Sequence, residues 1–314
     1  MNGMNKMNRK TNYLSDKNPL RNIKSCLTRN ISGWIFMLPC ILGLIIFTWY
    51  PMVQGVYMSF CKTRGYDIVV FTGLQNYIKI LHNTVFLKAL GNSFKYVFWC
   101  FVLGFGLPII LSILVNEIRK GQQTFRVLMY LPTMVPGIAA SLIWAIMLNP
   151  GPTGLFNTLL SKFDMGPLGW LEDAKLVIPT IALTCTWSGF GATTIWYLSS
   201  LQSIDTSLYE VATIDGAGFW KRVWHITLPH LSPMIRLGIV SQIIGTFSIF
   251  QQVFVLTGGG PNNASMNLAM LSYNYAFVSM NMGTSAAVGV IQSLILMVIS
   301  TVLYRKTDKG DIHG

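Results

Sequence analysis

Charged residues are scarce in this chain. Asp, Glu, Lys and Arg together make up 11% of its 314 residues, hydrophobic residues make up 52%, and the mean hydropathy is +0.50. A soluble domain carries about a quarter of charged residues, so this is not the composition of an ordinary soluble enzyme or binding module. The sequence instead predicts a protein that is embedded in lipid.

The motifs of catalysis and of nucleotide binding are also missing. The chain has no G-x-x-x-x-G-K-[ST] phosphate loop and no G-x-S-x-G elbow, and no Lys follows the glycines at 258–260. His225 and His230 are separated by Pro229, which excludes the paired ligands of H-E-x-x-H. The five cysteines fit neither a metal spacing nor a disulfide framework. We therefore predict no catalytic, cofactor or metal site in this chain.

Uncharged runs long enough to cross a membrane recur along the sequence. They cover 30–61, 96–116, 127–161, 176–204 and 237–304, and a span takes about 20 mostly apolar residues. The last run holds two spans, which a turn rich in Gly and Asn separates. Six spans are predicted, at 33–58, 94–116, 126–148, 176–200, 233–256 and 284–304. No charged residue lies deep in any of them, which argues against an ion-coupled carrier.

Lys and Arg are distributed unevenly between the segments that join these spans. With the N-terminus in the cytoplasm, the cytoplasmic segments hold 16 of the 23 basic residues, and the 257–283 loop holds none. Cytoplasmic loops carry the excess of positive charge, so the prediction is an all-α membrane protein with both termini inside. Its parts are a basic cytoplasmic tail at 1–30, a membrane domain at 31–304 and a second cytoplasmic tail at 305–314.

The net charge of +12 has a simple interpretation in this topology. The basic residues orient the chain and attract lipid headgroups. No basic stripe with interleaved aromatic residues lies outside the predicted spans, so a nucleic-acid partner is not expected. Membrane lipid is the expected partner of these charges.

A charged, amphipathic segment at 205–233 joins the fourth and fifth spans. Asp205 can accept hydrogen bonds from the free N–H groups at a helix start, which predicts a short helix from about Thr206 to Ile214. Gly216 suits a left-handed stop, because it has no Cβ to oppose a positive φ. The sequence therefore predicts a helix of about two turns outside the spans.

The faces of this segment differ in chemistry. One apolar edge follows the spacing i, i+3, i+4: Leu208, Val211 and Ala212. Glu210 lies on a different face, where it can meet a basic or backbone donor of a partner. Three aromatic residues are expected to form an apolar underside: Phe219, Trp220 and Trp224. Two basic residues are expected to face headgroups or solvent: Lys221 and Arg222.

The segment closely resembles the cytoplasmic coupling loop of ABC importer permeases. That pattern runs Glu-Ala-Ala, three residues, Gly, nine residues and Ile-x-Leu-Pro. Here positions 210–212 read Glu-Val-Ala, Gly216 follows, and positions 226–229 read Ile-Thr-Leu-Pro. Val211 replaces the first Ala and stays small and apolar. The resemblance implies these ATPase-coupling residues: Glu210, Ala212, Asp215, Gly216, Ala217, Ile226, Leu228 and Pro229.

In that family the short helix lies parallel to the membrane and seats in a cleft of an ATP-binding subunit. The resemblance thus implies an ATP-binding subunit dimer that binds ATP and magnesium, a second homologous permease subunit and an extracytoplasmic solute-binding protein. The alternative is an amphipathic helix lying on lipid. That alternative accounts for the tryptophans but not for Glu210, Asp215 and the small residues between them.

Three further segments resemble the sugar-type branch of these permeases: 73–77 (Gly-Leu-Gln-Asn-Tyr), 149–157 (Asn-Pro-Gly-Pro-Thr-Gly-Leu-Phe-Asn) and 256–261 (Leu-Thr-Gly-Gly-Gly-Pro). With the coupling segment, the resemblance covers roughly 31–304. It implies import of oligosaccharides, monosaccharides or glycerol phosphate derivatives.

Two polar stripes are candidates for the lining of a sugar path. In the fifth span, steps of four, three and four define one helix face: Ser241, Gly245, Ser248 and Gln252. In the fourth span, one face carries Thr180, Thr184, Ser188 and Gly191, and two aromatic residues lie nearby: Trp187 and Trp196. Small residues also allow membrane helices to pack closely, and that interpretation stays open for both stripes.

The sequence thus predicts a six-span, inner-membrane permease subunit of a sugar-type ABC importer, located in the bacterial plasma membrane. Two other functions remain open at this point. One is a permease for another solute class, such as amino acids or peptides. The other is a membrane enzyme or secondary carrier that works alone.

Overall fold

The structure, a computed structural model, describes residues 31–118 and 120–311. Its helices are α1 (Ile31–Leu44), α2 (Tyr50–Ser59), α3 (Gln75–Leu81), α4 (Thr84–Cys100), α5 (Gly106–Glu117), α6 (Gln122–Met134), α7 (Gly137–Met147), α8 (Leu155–Ser161), α9 (Val177–Leu201), α10 (Thr206–Ile214), α11 (Phe219–Arg222), α12 (Leu228–Phe247), α13 (Gln251–Leu256), α14 (Leu268–Tyr273) and α15 (Met282–Asp311). The tail predicted for 1–30 lies outside the described residues.

Four π-helical segments and one hairpin complete the elements. The π-helical segments are Ile45–Trp49, Phe101–Phe105, Val223–Thr227 and Asn274–Val278. The antiparallel hairpin pairs β1 (Cys61–Arg64) with β2 (Asp67–Phe71). The chain divides into two compact units, 1–57 and 58–314. In the first unit the described residues are helical, and most large apolar side chains from Trp34 to Tyr57 are exposed.

Within 31–118 and 120–311, four helical stretches are long and apolar enough to cross a membrane: Gly33–Ser59, Thr84–Glu117, Phe219–Leu256 and Met282–Arg305. They contain the predicted first, second, fifth and sixth spans. The second begins ten residues before the predicted position 94, because Asn83 caps α4 by accepting from the Val85 N–H at 2.8 Å. The last helix continues past the predicted boundary at 304 to Asp311.

The predicted third span is not one straight helix. Helices α6 and α7 meet at a bend of 88°, and two prolines account for it. Pro132 lies inside α6, and Pro136 is the N-cap of α7. Val135 between them is extended, with ψ of 127°, because the ring of the following proline disfavours the helical region. Counted as one, the bent pair is a fifth candidate span.

The predicted fourth span forms α9, a continuous helix of 25 residues. It packs against α4, α5 and α6 and is richer in hydroxyl side chains than the four apolar stretches. These hydroxyls donate to carbonyls of the same helix: Thr184 to Ile181 at 2.8 Å, and Thr194 to Phe190 at 2.7 Å. Hydroxyls that are bonded in this way allow α9 to lie at the centre of an apolar bundle.

Buried asparagines connect the loops to the helices. Asn76 donates to the carbonyls of Ser59 and Cys61 at 2.9 and 2.8 Å, and accepts from the Thr284 hydroxyl at 3.4 Å. Asn157 accepts from the Leu168 N–H and the Trp170 indole, both at 3.0 Å. These two side chains explain why the 73–77 and 149–157 segments keep a defined shape.

The turn predicted after the fifth span is present, and α4 supports it. Gly258 and Gly259 have φ of 58° and 96°, which few residues besides glycine adopt. Asn92 donates to the carbonyls of Asn263 and Met266, both at 3.0 Å. The turn is therefore fixed to the helix bundle and is not a loose loop.

Close approach of α9 to α6 depends on a missing side chain. A Cβ at Gly191 would lie 1.8 Å from the Met129 carbonyl oxygen, whereas a Cβ at Gly189, on the same helix, would meet nothing within 4 Å. Small residues allow membrane helices to approach in this way. The two glycines thus differ only in what faces them.

We expect Gly191→Ala to destabilise the purified protein by about 1–3 kcal/mol, since α6 and α9 must separate to admit the methyl group. The loss should appear as a fall of several degrees in Tm in detergent. Gly189→Ala is the matched control and should leave Tm unchanged or slightly higher. Equal Tm values for the two variants would contradict the close packing of these helices.

Candidate functional site

The short helix predicted between the fourth and fifth spans is present as α10, with the predicted bounds Thr206–Ile214. Asp205 is its N-cap, and its carboxylate accepts from the Ser207 N–H at 3.0 Å. These hydrogen bonds to Ser207 lower the pKa of Asp205, since they stabilise the ionised form. The start of the helix is therefore fixed by one exposed side chain.

The end of α10 is a Schellman motif. The Ala217 N–H donates to the Ala212 carbonyl at 2.8 Å, and the Gly216 N–H donates to the Thr213 carbonyl at 3.0 Å. Gly216 has φ of 74°, as the sequence predicts. A Cβ at Gly216 would meet nothing within 4 Å, so the requirement for glycine comes from the backbone angle.

One face of α10 is exposed. Leu208 and Val211 are exposed, as the predicted apolar edge requires, and Ile214 is 84% exposed. Ala212 is half-buried, so it belongs only partly to that edge. Glu210 is exposed, and no hydrogen bond or ion pair joins it to another described residue. This face can accept a partner of apolar and cationic character.

The opposite face is anchored to the helix bundle. The Tyr209 hydroxyl and the Thr227 hydroxyl are 3.0 Å apart. Tyr209 also packs against a buried apolar cluster, to which Phe219, Ile226 and Leu228 contribute. The Ile-x-Leu positions of the motif therefore point inward, and Pro229 follows at the start of α12. Ile226 and Leu228 therefore help to fix α10 to the spans, whereas Pro229 is exposed.

The surroundings of Arg222 differ from the prediction that it faces headgroups or solvent. Its guanidinium donates to Glu117 at 3.4 Å and to Thr213 at 3.3 Å, because a carboxylate at the end of α5 lies within reach. Lys221, Trp220 and Trp224 are exposed, as predicted for Lys221. Phe219 is half-buried in the cluster, so the predicted aromatic underside is divided between core and surface.

A cavity of about 490 Å³ opens in the bundle among α4, α5, α9 and α12. From α9 it is lined by Cys185, Thr186, Gly189, Phe190, Ala192, Thr193, Trp196 and Tyr197; from α12 by Gly238, Ser241, Gln242, Gly245 and Thr246. Cys100, Gly104, Phe105, Pro108 and Ile249 complete the wall. The lining combines hydroxyl, amide and aromatic groups, and none of these residues is charged.

Only some of the predicted path residues line the cavity. Ser241 and Gly245 line it. Gln252 cannot share their helix face, since α12 ends at Phe247 and α13 begins only at Gln251, so the prediction of one continuous four-residue stripe is wrong. Ser248, which caps the end of α12, is also absent from the lining.

On α9 the lining and the predicted residues are neighbours on the helix. Thr184 is buried with its hydroxyl bonded to the Ile181 carbonyl, and Ser188 donates to Thr184 at 3.1 Å. Trp187 packs edge-on against Trp144. The alternative of helix packing thus describes this stripe. Trp196, which was predicted to lie near this stripe, lines the cavity. Thr186, Gly189 and Thr193 were not predicted but line it too, at spacings of three and four positions.

Comparison with known proteins places the chain in a family. The family described as "Binding-protein-dependent transport system inner membrane component" matches residues 104–310. The multiple sugar-binding transport system permease protein MsmF of Streptococcus mutans is 31% identical over 282 residues, which cover 89% of this chain and 96% of MsmF. The lactose transport system permease protein LacF of Rhizobium radiobacter is 32% identical over 279 residues, 86% of this chain and 92% of LacF.

A solved structure has the same fold. It belongs to a bacterial ABC transporter involved in the import of the acidic polysaccharide alginate, with a TM-score of 0.80 and 22% identity. The alignment covers 92% of this chain and 99% of that chain. The extent of the family match and the two full-length relatives establish that this chain is a member of the binding-protein-dependent transport system inner membrane component family.

Proposed function

We propose that this chain is the permease subunit of an ATP-driven sugar importer in the bacterial plasma membrane. The observation that carries the proposal is α10: a helix with both ends capped, one face anchored to the bundle and the other exposed. Family membership and the sugar transport named for the relatives support the same function. The chain supplies the path and the docking helix, and hydrolysis takes place elsewhere.

Because ATP hydrolysis takes place outside this chain, the proposed function requires partner subunits. An ATP-binding subunit dimer, which binds ATP and magnesium, docks on the exposed face of α10. A second homologous permease subunit forms the other half of the path, and an extracytoplasmic binding protein delivers the sugar. A solved neighbour with a TM-score of 0.78 is a transporter in complex with an alginate pentasaccharide-bound periplasmic protein, which supports a binding-protein partner here.

Six spans with both termini inside are the topology that fits this function. The four long apolar helices and the bent pair α6–α7 supply five. Helix α9 supplies the sixth, since its hydroxyls are bonded within the helix and it is surrounded by other spans. Cytoplasmic α10 then lies between the fourth and fifth spans, and the 257–281 loop lies outside.

Single-cysteine labelling tests this topology in a background without the native cysteines. Ser279 and Lys221 are both exposed, so cysteine at either position should react with a maleimide. An impermeant reagent added to intact cells should label Ser279→Cys and spare Lys221→Cys until the membrane is opened. The reverse pattern would contradict the proposed orientation.

The cavity is the proposed part of the path that this chain lines. Its wall presents Ser241, Gln242 and Thr193 for hydrogen bonds and Trp196 for contact with an apolar sugar face. An amino acid or peptide would bring fixed charges, and the described lining residues supply no opposite charge. The wall therefore favours a neutral saccharide over the other solute classes.

Two glutamines of the same region provide a matched test of the path. Gln242 lines the cavity and Gln252 does not. We expect Gln242→Leu to lower uptake by about tenfold, the effect of one lost hydrogen bond, in a complex that assembles normally. Gln252→Leu should stay within about twofold of the parent. The measurement is an uptake assay with a panel of neutral oligosaccharides. Equal effects of the two substitutions would show that the cavity is not part of the path.

The docking role of α10 makes a separate prediction. Gly216→Val forces a β-branched residue to adopt φ of 74°, which costs about 1–3 kcal/mol and turns the end of the helix away from the ATPase. Glu210→Ala removes an exposed carboxylate from the docking face. Each change should lower uptake and sugar-stimulated ATP hydrolysis by about tenfold or more, and Gly216→Val should also weaken co-purification of the ATPase.

Lys221→Ala is the control for both variants, since Lys221 is exposed near the helix but lies beyond its docking face. All three variants should insert normally, because no span is altered. Normal uptake and a normal ATPase complex in both Gly216→Val and Glu210→Ala would show that α10 is not the coupling element. Thr213 is unsuitable as a control, because it accepts from Arg222.

A further inference from the structure

Arg222 joins three parts of the chain that are distant in sequence. It is the last residue of α11, just after the coupling helix. One guanidinium nitrogen donates to the Thr213 hydroxyl, at the end of α10, at 3.3 Å. Another donates to Glu117 at 3.4 Å, across 105 residues of sequence. The side chain therefore bridges α10 to the end of the second span.

The surroundings of this pair distinguish it from an ordinary surface ion pair. The Arg222 side chain is 22% exposed and that of Glu117 is 41% exposed, whereas fully exposed pairs contribute little to stability. The backbone around Arg222 is also fixed, because the Thr227 hydroxyl donates to the Arg222 carbonyl at 3.4 Å and contacts Tyr209. The planar fork of arginine can reach two acceptors at once, which a lysine ammonium does less well.

Glu117 lies at one end of a rigid element whose other end forms the cavity wall. Helix α5 runs from Gly106 to Glu117 without interruption, and Pro108 near its start lines the cavity. Gly104 and Phe105, immediately before α5, line it too. The nine residue steps from Pro108 to Glu117 span about 14 Å of helix. A displacement of Glu117 along the helix axis therefore reaches the cavity wall.

We propose that Arg222 and Glu117 are positioning residues that make α10 and the second span move as one body. The inference rests on the proposed function, since it needs α10 to be moved by an ATPase. The ion pair then transmits that movement to Gly104, Phe105 and Pro108, whose displacement changes the width of the cavity. Without the pair, α10 still docks, but its movement is only loosely transferred to the path.

A double-mutant cycle in the complete transporter, reconstituted in proteoliposomes, tests this role. The measured quantity is sugar imported per ATP hydrolysed. Glu117→Gln and Arg222→Gln should each lower that ratio by about fivefold, the scale expected for one hydrogen bond between charged groups at a partly exposed site. The double variant should be no worse than the poorer single one, because the second change removes nothing further. ATPase co-purification should stay normal throughout.

A variant with the two charges exchanged and a control at the neighbouring lysine test the role of the ion pair further. Glu117→Arg combined with Arg222→Glu restores opposite charges and should recover at least half of the parent ratio. Lys221→Ala, which removes the adjacent cation, should leave the ratio within twofold. Independent, multiplying losses in the double variant, or no loss in either single variant, would overturn the proposal. A parent complex that imports no sugar with ATP would instead refute the proposed function itself.

Discussion

Every polar group that enters the apolar interior of this chain has to find its partner within the chain. Lipid offers no hydrogen bonds, and an unsatisfied group in it costs several kcal/mol. This constraint explains the hydroxyls of α9 that bond to their own helix, such as Thr184 and Thr194. It also explains Asn76 and Asn157, whose amides satisfy the backbone of irregular loops beside the helices. Ser241 and Gln242 line the cavity instead, and the Glu210 carboxylate of α10 is exposed.

The cavity and α10 are connected by the same helices. The cavity lies between α9 and α12, and α10 follows α9 directly along the chain. The cluster beneath α10 uses Tyr197 and Leu201 from the last turns of α9 and Leu231 from the first turns of α12. Helix α10 is therefore connected, through this cluster, to the same two helices that form most of the cavity wall. This arrangement is suited to a subunit that receives mechanical work at one end and admits a solute at the other.

Local chemistry made the bounds of α10 predictable to the residue. The tertiary contacts of the chain were not predictable from its sequence. Asp205, the helix and Gly216 follow from capping preferences that involve only neighbours in sequence. The partner of Arg222 lies 105 residues away, and no periodicity in one sequence indicates that distance. Four spans follow from hydropathy and length, but the 88° bend between α6 and α7 depends on two prolines whose effect on direction is set by packing. The helix break before Gln251 separates Gln252 from the face of Ser241 and Gly245, although spacing in the sequence places these three residues on one face.

The caps at both ends of α10 give the docking helix a fixed length. Its nine residues rise about 14 Å, from the Asp205 cap to the Schellman turn at Gly216. Side chains on the exposed face can change without altering that length, but an inserted residue would rotate the following backbone by about 100° and separate Gly216 from its turn. The length of α10 is thus set by its two caps and not by its exposed side chains. For an ATPase that docks on α10 as proposed, recognition then depends on the side chains of the exposed face and not on the length of the helix.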